Sequence, residues 1–215
     1  MDDELRTRQS IIDACLKMNA DGINQGTSGN ISARWEDGLL ITPTGVVYDD
    51  LTPERVVFLD GDGVPDGVGK PSSEWRFHLA IYNRRPDVNA VVHTHSVHAT
   101  AISMTGEDIP AVHYMIAAAG GPTIRCAPYA TFGTEELSAH AVTALEGRNA
   151  CLLANHGLIA CGPSIGRALW IAGEIEALSH QYILARLFGE PVVLTDDEIA
   201  INVEKFRSYG AAQDN

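Results

Sequence analysis

The chain has 215 residues, enough to bury one substantial core, so a single domain over 1–215 is the default expectation. Its 45% apolar and 20% charged residues are an ordinary balance for a globular protein and set aside the disordered and fibrous classes. A formal net charge of −13 argues against nucleic acid as a partner, because that binding needs a basic face to displace counterions. The same charge gives no global steering to an anionic ligand, so any phosphate must be held by local donors. Residues 5–19 carry apolar side chains at Leu5, Ile11, Ile12, Cys15, Leu16 and Met18, a helical stripe. Strand signals follow at 31–35, 39–42 and 56–59, and Asp60-Gly61-Asp62-Gly63 has the composition of a hairpin turn. Residues 72–85 read as a helix, with Ser72 at the N-cap, Glu74 in the first turn and Pro86 past the end.

A buried strand at 88–92 then runs into His93-Thr94-His95, and a short helix is expected over 97–103. Residues 134–146 form another helix stopped by Gly147, strands lie around Leu152 and Leu158, and long helices cover 164–188 and 195–206. A tail containing Tyr209 closes the chain. Short strands mixed with helices give an α/β class. The hairpin signals favour a mixed, mostly antiparallel sheet over a doubly wound parallel one.

Cys15, Cys126, Cys151 and Cys161 show no Cys-x-x-Cys spacing, and the first, second and third lie in apolar surroundings. Free thiols in a reducing compartment are the expectation. The start, Met1-Asp2-Asp3-Glu4, is acidic and unlike a signal peptide, and no apolar run has the length of a membrane span. A cytoplasmic protein with no membrane partner is expected.

Chemistry concentrates in a few places. On a strand, alternate side chains share a face, so His93 and His95 aim their imidazoles into one space. His156 follows the apolar run Ala150-Cys151-Leu152-Leu153-Ala154, where a strand reaches the same sheet edge. Three neutral nitrogens with one position left open suit a catalytic zinc ion, whereas structural sites are closed by four ligands.

Three small-residue clusters, Gly26-Thr27-Ser28-Gly29-Asn30, Thr42-Pro43-Thr44-Gly45 and Ser72-Ser73, suit a phosphate if they converge. Taken singly, each is a turn or a cap. Glu74 is either a residue that complements a helix dipole or a general base beside the metal. Tyr114 and Tyr209 are candidate proton donors, His113 has no spacing that demands a role, and His78, His98, His140 and His180 are accounted for by helix positions.

The ordered set of motifs resembles the class II aldolase/adducin superfamily over essentially the whole chain. The resemblance runs through Asn24-Gln25-Gly26-Thr27-Ser28-Gly29-Asn30, Ile41-Thr42-Pro43-Thr44-Gly45 and Pro71-Ser72-Ser73-Glu74-Trp75-Arg76-Phe77-His78. It continues in Val91-Val92-His93-Thr94-His95, His113-Tyr114-Met115-Ile116-Ala117, Ala127-Pro128-Tyr129-Ala130-Thr131-Phe132-Gly133-Thr134, His156-Gly157-Leu158-Ile159-Ala160 and Glu204-Lys205-Phe206. Within the superfamily the likeness is to the fuculose-phosphate aldolases.

The resemblance implies one Zn²⁺ per subunit, held by His93, His95 and His156, with Glu74 as catalytic base and occasional fourth ligand. It implies substrate phosphate bound by Thr27, Gly29, Asn30, Thr44, Gly45, Ser72 and Ser73. Tyr114 corresponds to a proton donor acting from a neighbouring subunit, and Phe132, Phe206 and Tyr209 to residues that shape the pocket, with a tail over about 207–215 covering it. The implied fold is a mixed, largely antiparallel sheet flanked by helices, assembled as a homotetramer with sites between subunits.

The implied reaction is reversible cleavage of L-fuculose 1-phosphate, or a similar ketose 1-phosphate, to dihydroxyacetone phosphate and L-lactaldehyde through a metal-stabilised enediolate. A sugar-phosphate epimerase or dehydratase of the same superfamily, or a non-catalytic adducin-like scaffold, are the alternatives. Thr44 in place of Ser, Asn155 before His156, and a shortened stretch at Gly189-Glu190-Pro191 depart from the family pattern. With the residues after Gly210, they bear on aldehyde preference.

Overall fold

The structure is a computed structural model that describes residues 3–67 and 69–208. Tyr209 and most of the expected covering tail therefore lie outside the described residues. Seven strands form one sheet: β1 (Asn30–Trp35), β2 (Gly38–Ile41), β3 (Val57–Leu59), β4 (Ala90–Thr94), β5 (Cys126–Ala127), β6 (Ala150–Leu153) and β7 (Gly157–Gly162). Their order is β3-β2-β1-β4-β7-β6-β5, and each neighbouring pair is antiparallel except β5–β6. The expected mixed, largely antiparallel sheet is what forms.

Helices cover both faces. Against one face pack α1 (Asp3–Ala20) and α5 (Ile165–Phe188), with α3 (Val97–Ser103) and the buried Ile199 of α6 (Asp196–Ser208). Against the other pack α2 (Trp75–Arg84) and α4 (Glu135–Ala144). Every residue of β2, β4, β6 and β7 is buried, so these strands read as continuous apolar runs and not as an alternation of apolar and polar. Among the described residues no helix is long and apolar enough to cross a membrane.

Caps set several boundaries. Thr134 and Ser164, expected as first helical residues, are N-caps whose hydroxyls accept from Leu137 N–H and Arg167 N–H. Thr195 and Glu198 form a reciprocal capping box that opens α6. Two expectations shift at the site itself. The strand expected at 88–92 spans Ala90–Thr94, which brings His93 inside the sheet; Val88 is buried but belongs to the preceding turn, held by its N–H to the Arg85 carbonyl.

The helix expected from Ser72 begins at Trp75. The turn before it is closed by Trp75 N–H donating to the Ser72 carbonyl and Glu74 N–H donating to Ser72 Oγ. Glu74 thus stands at the N-cap and not in the first turn. Its side chain makes no cap hydrogen bond and is free to turn toward the sheet.

Candidate metal centre

The central strands meet beneath the start of α2. Asn30 of β1 lies directly opposite His93 of β4, and His93 lies opposite Ile159 of β7. His95 follows just past the end of β4. His156 sits in the tight β6–β7 connection, where Asn155 adopts a left-handed φ of 55°. Asn tolerates that conformation far better than most residues, which gives a backbone reason for Asn at this position.

Gly157 is required for a different reason. A Cβ there would stand 2.6 Å from the Thr94 carbonyl oxygen and 3.0 Å from His95 Cδ2, so any side chain would push His95 aside.

The three Nε2 atoms and the Glu74 carboxylate form one cluster within 4.8 Å. His95 Nε2 is 3.1 Å from His93 Nε2; Glu74 Oε2 is 3.2 Å from His93 Nε2, and Oε1 is 3.0 Å from His156 Nε2. His93 Nδ1 lies 3.0 Å from the Leu158 carbonyl, to which it donates, and this leaves Nε2 as a lone pair facing the cluster. Glu74 Oε1 is buried and has no aligned hydrogen-bond donor despite its short approach to His156.

Lone pairs facing one another at such distances repel unless a cation lies between them. Nitrogen ligands at about 2.1 Å around a tetrahedral ion would stand about 3.4 Å apart, near the three short separations here and inside the 4.8 Å spread of the whole cluster. The donor set fits a divalent metal ion. Burial raises the Glu74 carboxyl, and positive charge on the His93 and His156 side outweighs it and holds the group below the usual carboxylate range; a bound cation would supply that charge in place of ring protons. Burial lowers His95 to about 4, which keeps its ring neutral and able to ligate.

A cavity of about 390 Å³ opens over the cluster, lined by Thr27, Ser28, Ser73, Glu74, His95, Tyr129, Ala130, Phe132, Asn155 and His156. Of the residues expected at a phosphate, Thr27 and Ser73 line it. Gly29 packs so tightly that a Cβ would meet the His93 carbonyl oxygen at 2.6 Å. Asn30 is buried, with its amide directed at Glu74 and His78.

Thr44, Gly45 and Ser72 are not among the residues that line the cavity. Thr44 N–H donates to the Lys70 carbonyl and Ser72 N–H to the Thr42 carbonyl, so the two small-residue turns run side by side. The first cluster reaches the cavity through Thr27 and Ser28 and the third through Ser73, and the second is tied to the third by these backbone pairings.

Tyr114 and Phe206 are elsewhere. With Met115, Trp170, Glu174, Asn202 and Lys205 they line a second hollow of about 400 Å³ that shares no lining residue with the metal cavity. Tyr114 is 49% exposed and Phe132 64%.

Several roles were not legible in the sequence. His113 caps the 3₁₀ turn Tyr114–Ala119 by accepting Met115 N–H. Glu176 of α5 accepts His98 N–H and Ala99 N–H, each at 2.9 Å, and so pins the start of α3 just after His95. His78, accounted for in the sequence by its helix position alone, lies on that helix and is fully buried. Only its i+4 spacing from Glu74 hinted that it shares that face.

The family model of the class II aldolase and adducin N-terminal domain matches residues 9–183. The chain belongs to the class II aldolase and adducin family. An L-fuculose phosphate aldolase of Escherichia coli strain K12 is 56% identical over 203 residues, covering 94% of each chain. A 5-methylthioribulose-1-phosphate/5-deoxyribulose-1-phosphate aldolase of Rhodospirillum rubrum is 51% identical over 203 residues, 94% of this chain and 92% of the relative.

A solved L-fuculose 1-phosphate aldolase superposes with a TM-score of 0.92 at 39% identity, covering 96% of this chain and all of that one. With its four candidate ligands in place, this member of the class II aldolase family is an aldolase, a lyase of carbon–carbon bonds.

Proposed function

We propose that the protein is a zinc-dependent aldolase that reversibly cleaves L-fuculose 1-phosphate, or a closely similar ketose 1-phosphate, to dihydroxyacetone phosphate and L-lactaldehyde. The observation that carries this reading is the convergence of Glu74 with the Nε2 atoms of His93, His95 and His156 at the floor of a cavity rimmed by hydroxyls. Imidazole and carboxylate donors suit zinc. A bound cation of this kind supplies Lewis-acid polarisation of the substrate oxygens next to the breaking bond.

The chain's own groups do the rest. Three imidazoles suffice to hold the cation, which leaves Glu74, ionised at neutral pH, to take the proton from the hydroxymethyl carbon in the condensation direction. Thr27, Gly29, Asn30, Thr44, Gly45, Ser72 and Ser73 are assigned to the phosphate end, where remote binding energy orients the reacting carbon. Phe132 shapes the cavity mouth. Tyr114 and Phe206, in a hollow of their own, are assigned to the aldehyde end of a neighbouring subunit's site, with Tyr114 delivering the proton to the new alkoxide. Tyr209 and the tail over about 207–215 are assigned to covering that site.

This division of labour requires a homo-oligomer, and the expected form is a tetramer. The four free thiols fit a reducing, cytoplasmic setting.

A second substrate reading comes from the Rhodospirillum rubrum relative, whose name gives 5-deoxyribulose 1-phosphate as a substrate. One panel separates the two. Metal-loaded protein is incubated with fuculose, rhamnulose, ribulose and 5-deoxyribulose 1-phosphates, and release of dihydroxyacetone phosphate is followed. Fuculose 1-phosphate should give the highest kcat/KM. A higher value for 5-deoxyribulose 1-phosphate selects the second substrate, and release from none of them overturns the aldolase reading.

A further inference from the structure

Polar groups continue from Glu74 into the core between β1 and α2. Asn30 Nδ2 donates to Glu74 Oε2 at 2.8 Å, and Asn30 Oδ1 lies 2.5 Å from His78 Nε2. His78 Nδ1 is 2.7 Å from Ser32 Oγ, which is 2.8 Å from Tyr82 OH. Ser32 and His78 are fully buried, and Tyr82, Asn30 and Glu74 are 2%, 4% and 5% exposed. Polar groups buried this deeply must satisfy one another.

With His78 neutral, their donors and acceptors admit one arrangement. An ionised carboxylate only accepts, so Asn30 presents its NH₂ to Glu74 and its carbonyl oxygen to His78. That oxygen also only accepts, so His78 Nε2 must carry a hydrogen. Burial lowers His78 to about 3, so the ring is neutral and Nδ1 is an acceptor. Ser32 then donates to Nδ1, and Tyr82 donates to Ser32 Oγ. All four hydrogen bonds run in one direction, ending on Glu74.

The opposite tautomer would set the Nε2 lone pair against Asn30 Oδ1. The amide would turn over and bring its oxygen against Glu74 Oε2, two acceptors in contact.

We propose that His78 is a positioning residue for Glu74. Held as the Nε2–H tautomer by Ser32 and Tyr82, it locks the Asn30 amide so that Oε2 of Glu74 is fixed by a hydrogen bond and Oε1 is left for proton transfer. Asn30 is then a structural partner of the base as well as a neighbour of the phosphate end. The tautomer stands on the buried chain of hydrogen bonds around a neutral ring; the kinetic consequence rests on the aldolase reading.

Two measurements test it. Two-bond ¹H–¹⁵N correlation on wild-type protein with ¹⁵N-labelled histidine, at pH 7, should show His78 with Nε2 protonated and Nδ1 bare. The signal is assigned by its loss in His78→Gln. An Nδ1–H tautomer or an imidazolium overturns the proposal, whether or not any variant folds.

In the second, exchange of the hydroxymethyl proton of dihydroxyacetone phosphate with D₂O reads the base alone. His78→Leu should slow it by about 10–100-fold, the usual cost of losing such a supporting partner. KM should stay within about twofold. His78→Gln, which keeps an N–H donor toward Asn30, should retain most of the rate. Wild-type exchange in His78→Leu, equal damage in both variants, or a loss that follows lost metal each overturns the proposal. If wild-type protein exchanges no proton, the aldolase reading falls and the tautomer alone decides the role of His78.

Discussion

Along β1 and β4, Ile31, Ala33 and Val92 point toward α1 and α5 into an apolar layer, whereas Asn30, Ser32 and His93 point toward α2 and meet Glu74, His78 and Tyr82. The same strands thus build a hydrophobic seat on one face and the polar end of the active site on the other. Alternation along a strand makes this possible, because neighbouring residues report to different layers. The apolar face contributes stability through area removed from water; the polar face holds groups whose burial costs energy unless every donor and acceptor is matched. Substitutions on the two faces should therefore fail in different ways.

The sharpest break belongs to the polar face. Glu74→Gln keeps shape and leaves three imidazoles for the metal, but removes the base. Activity should fall by about 10²–10⁴-fold with zinc content near wild type, measured by triose-phosphate release and metal analysis. Wild-type turnover in that variant would remove Glu74 from the mechanism.

On the apolar face, Leu152→Ala should lower unfolding free energy by about 2–5 kcal/mol in a denaturant titration. The rate per folded, metal-loaded molecule should stay close to wild type, since Leu152 packs in the α1/α5 layer. A collapse in kcat without loss of stability would erase the distinction between the faces.

A smaller effect is expected at the second hollow. Tyr114→Phe should slow carbon–carbon bond formation by about a hundredfold while leaving proton exchange into dihydroxyacetone phosphate nearly unchanged. Equal slowing of both reactions would count against a donor role. The mildest test asks whether the two faces are equally sealed. Cys15 lies in one layer and Cys151 and Cys161 in the other, all fully buried, whereas Cys126 is half-buried.

Burial raises Cys126 to about 11 and Cys161 to about 12, so neither offers much thiolate at pH 8. Native labelling by a small maleimide should be slow at Cys126 and slower still at the other thiols. Faster labelling of Cys15 than of Cys151 would show that the α1/α5 layer opens more readily.

The sequence by itself determined the helices with clear caps and stripes, the α/β class and the candidate ligands. The helices that begin near Thr134 and Ser164, and the 97–103 helix, were readable to within a residue at their starts because helix signals are local. Strand ends were less so: Val88 continues the apolar run of β4 although it lies in a turn, since burial and hydrogen bonding part company there.

His93 and His95 were legible as a pair because two residues on a strand share a face. That His156 joins them depends on β7 lying beside β4, a pairing between residues more than sixty positions apart. The separation of Tyr114 and Phe206 from the metal cavity, and the burial of His78 under Glu74, were likewise decided only by the tertiary structure. A polar side chain on a helix looks the same in sequence whether it meets water or a neighbour. Which it meets is fixed by the layer packed against it, and here that layer is the polar face of β1.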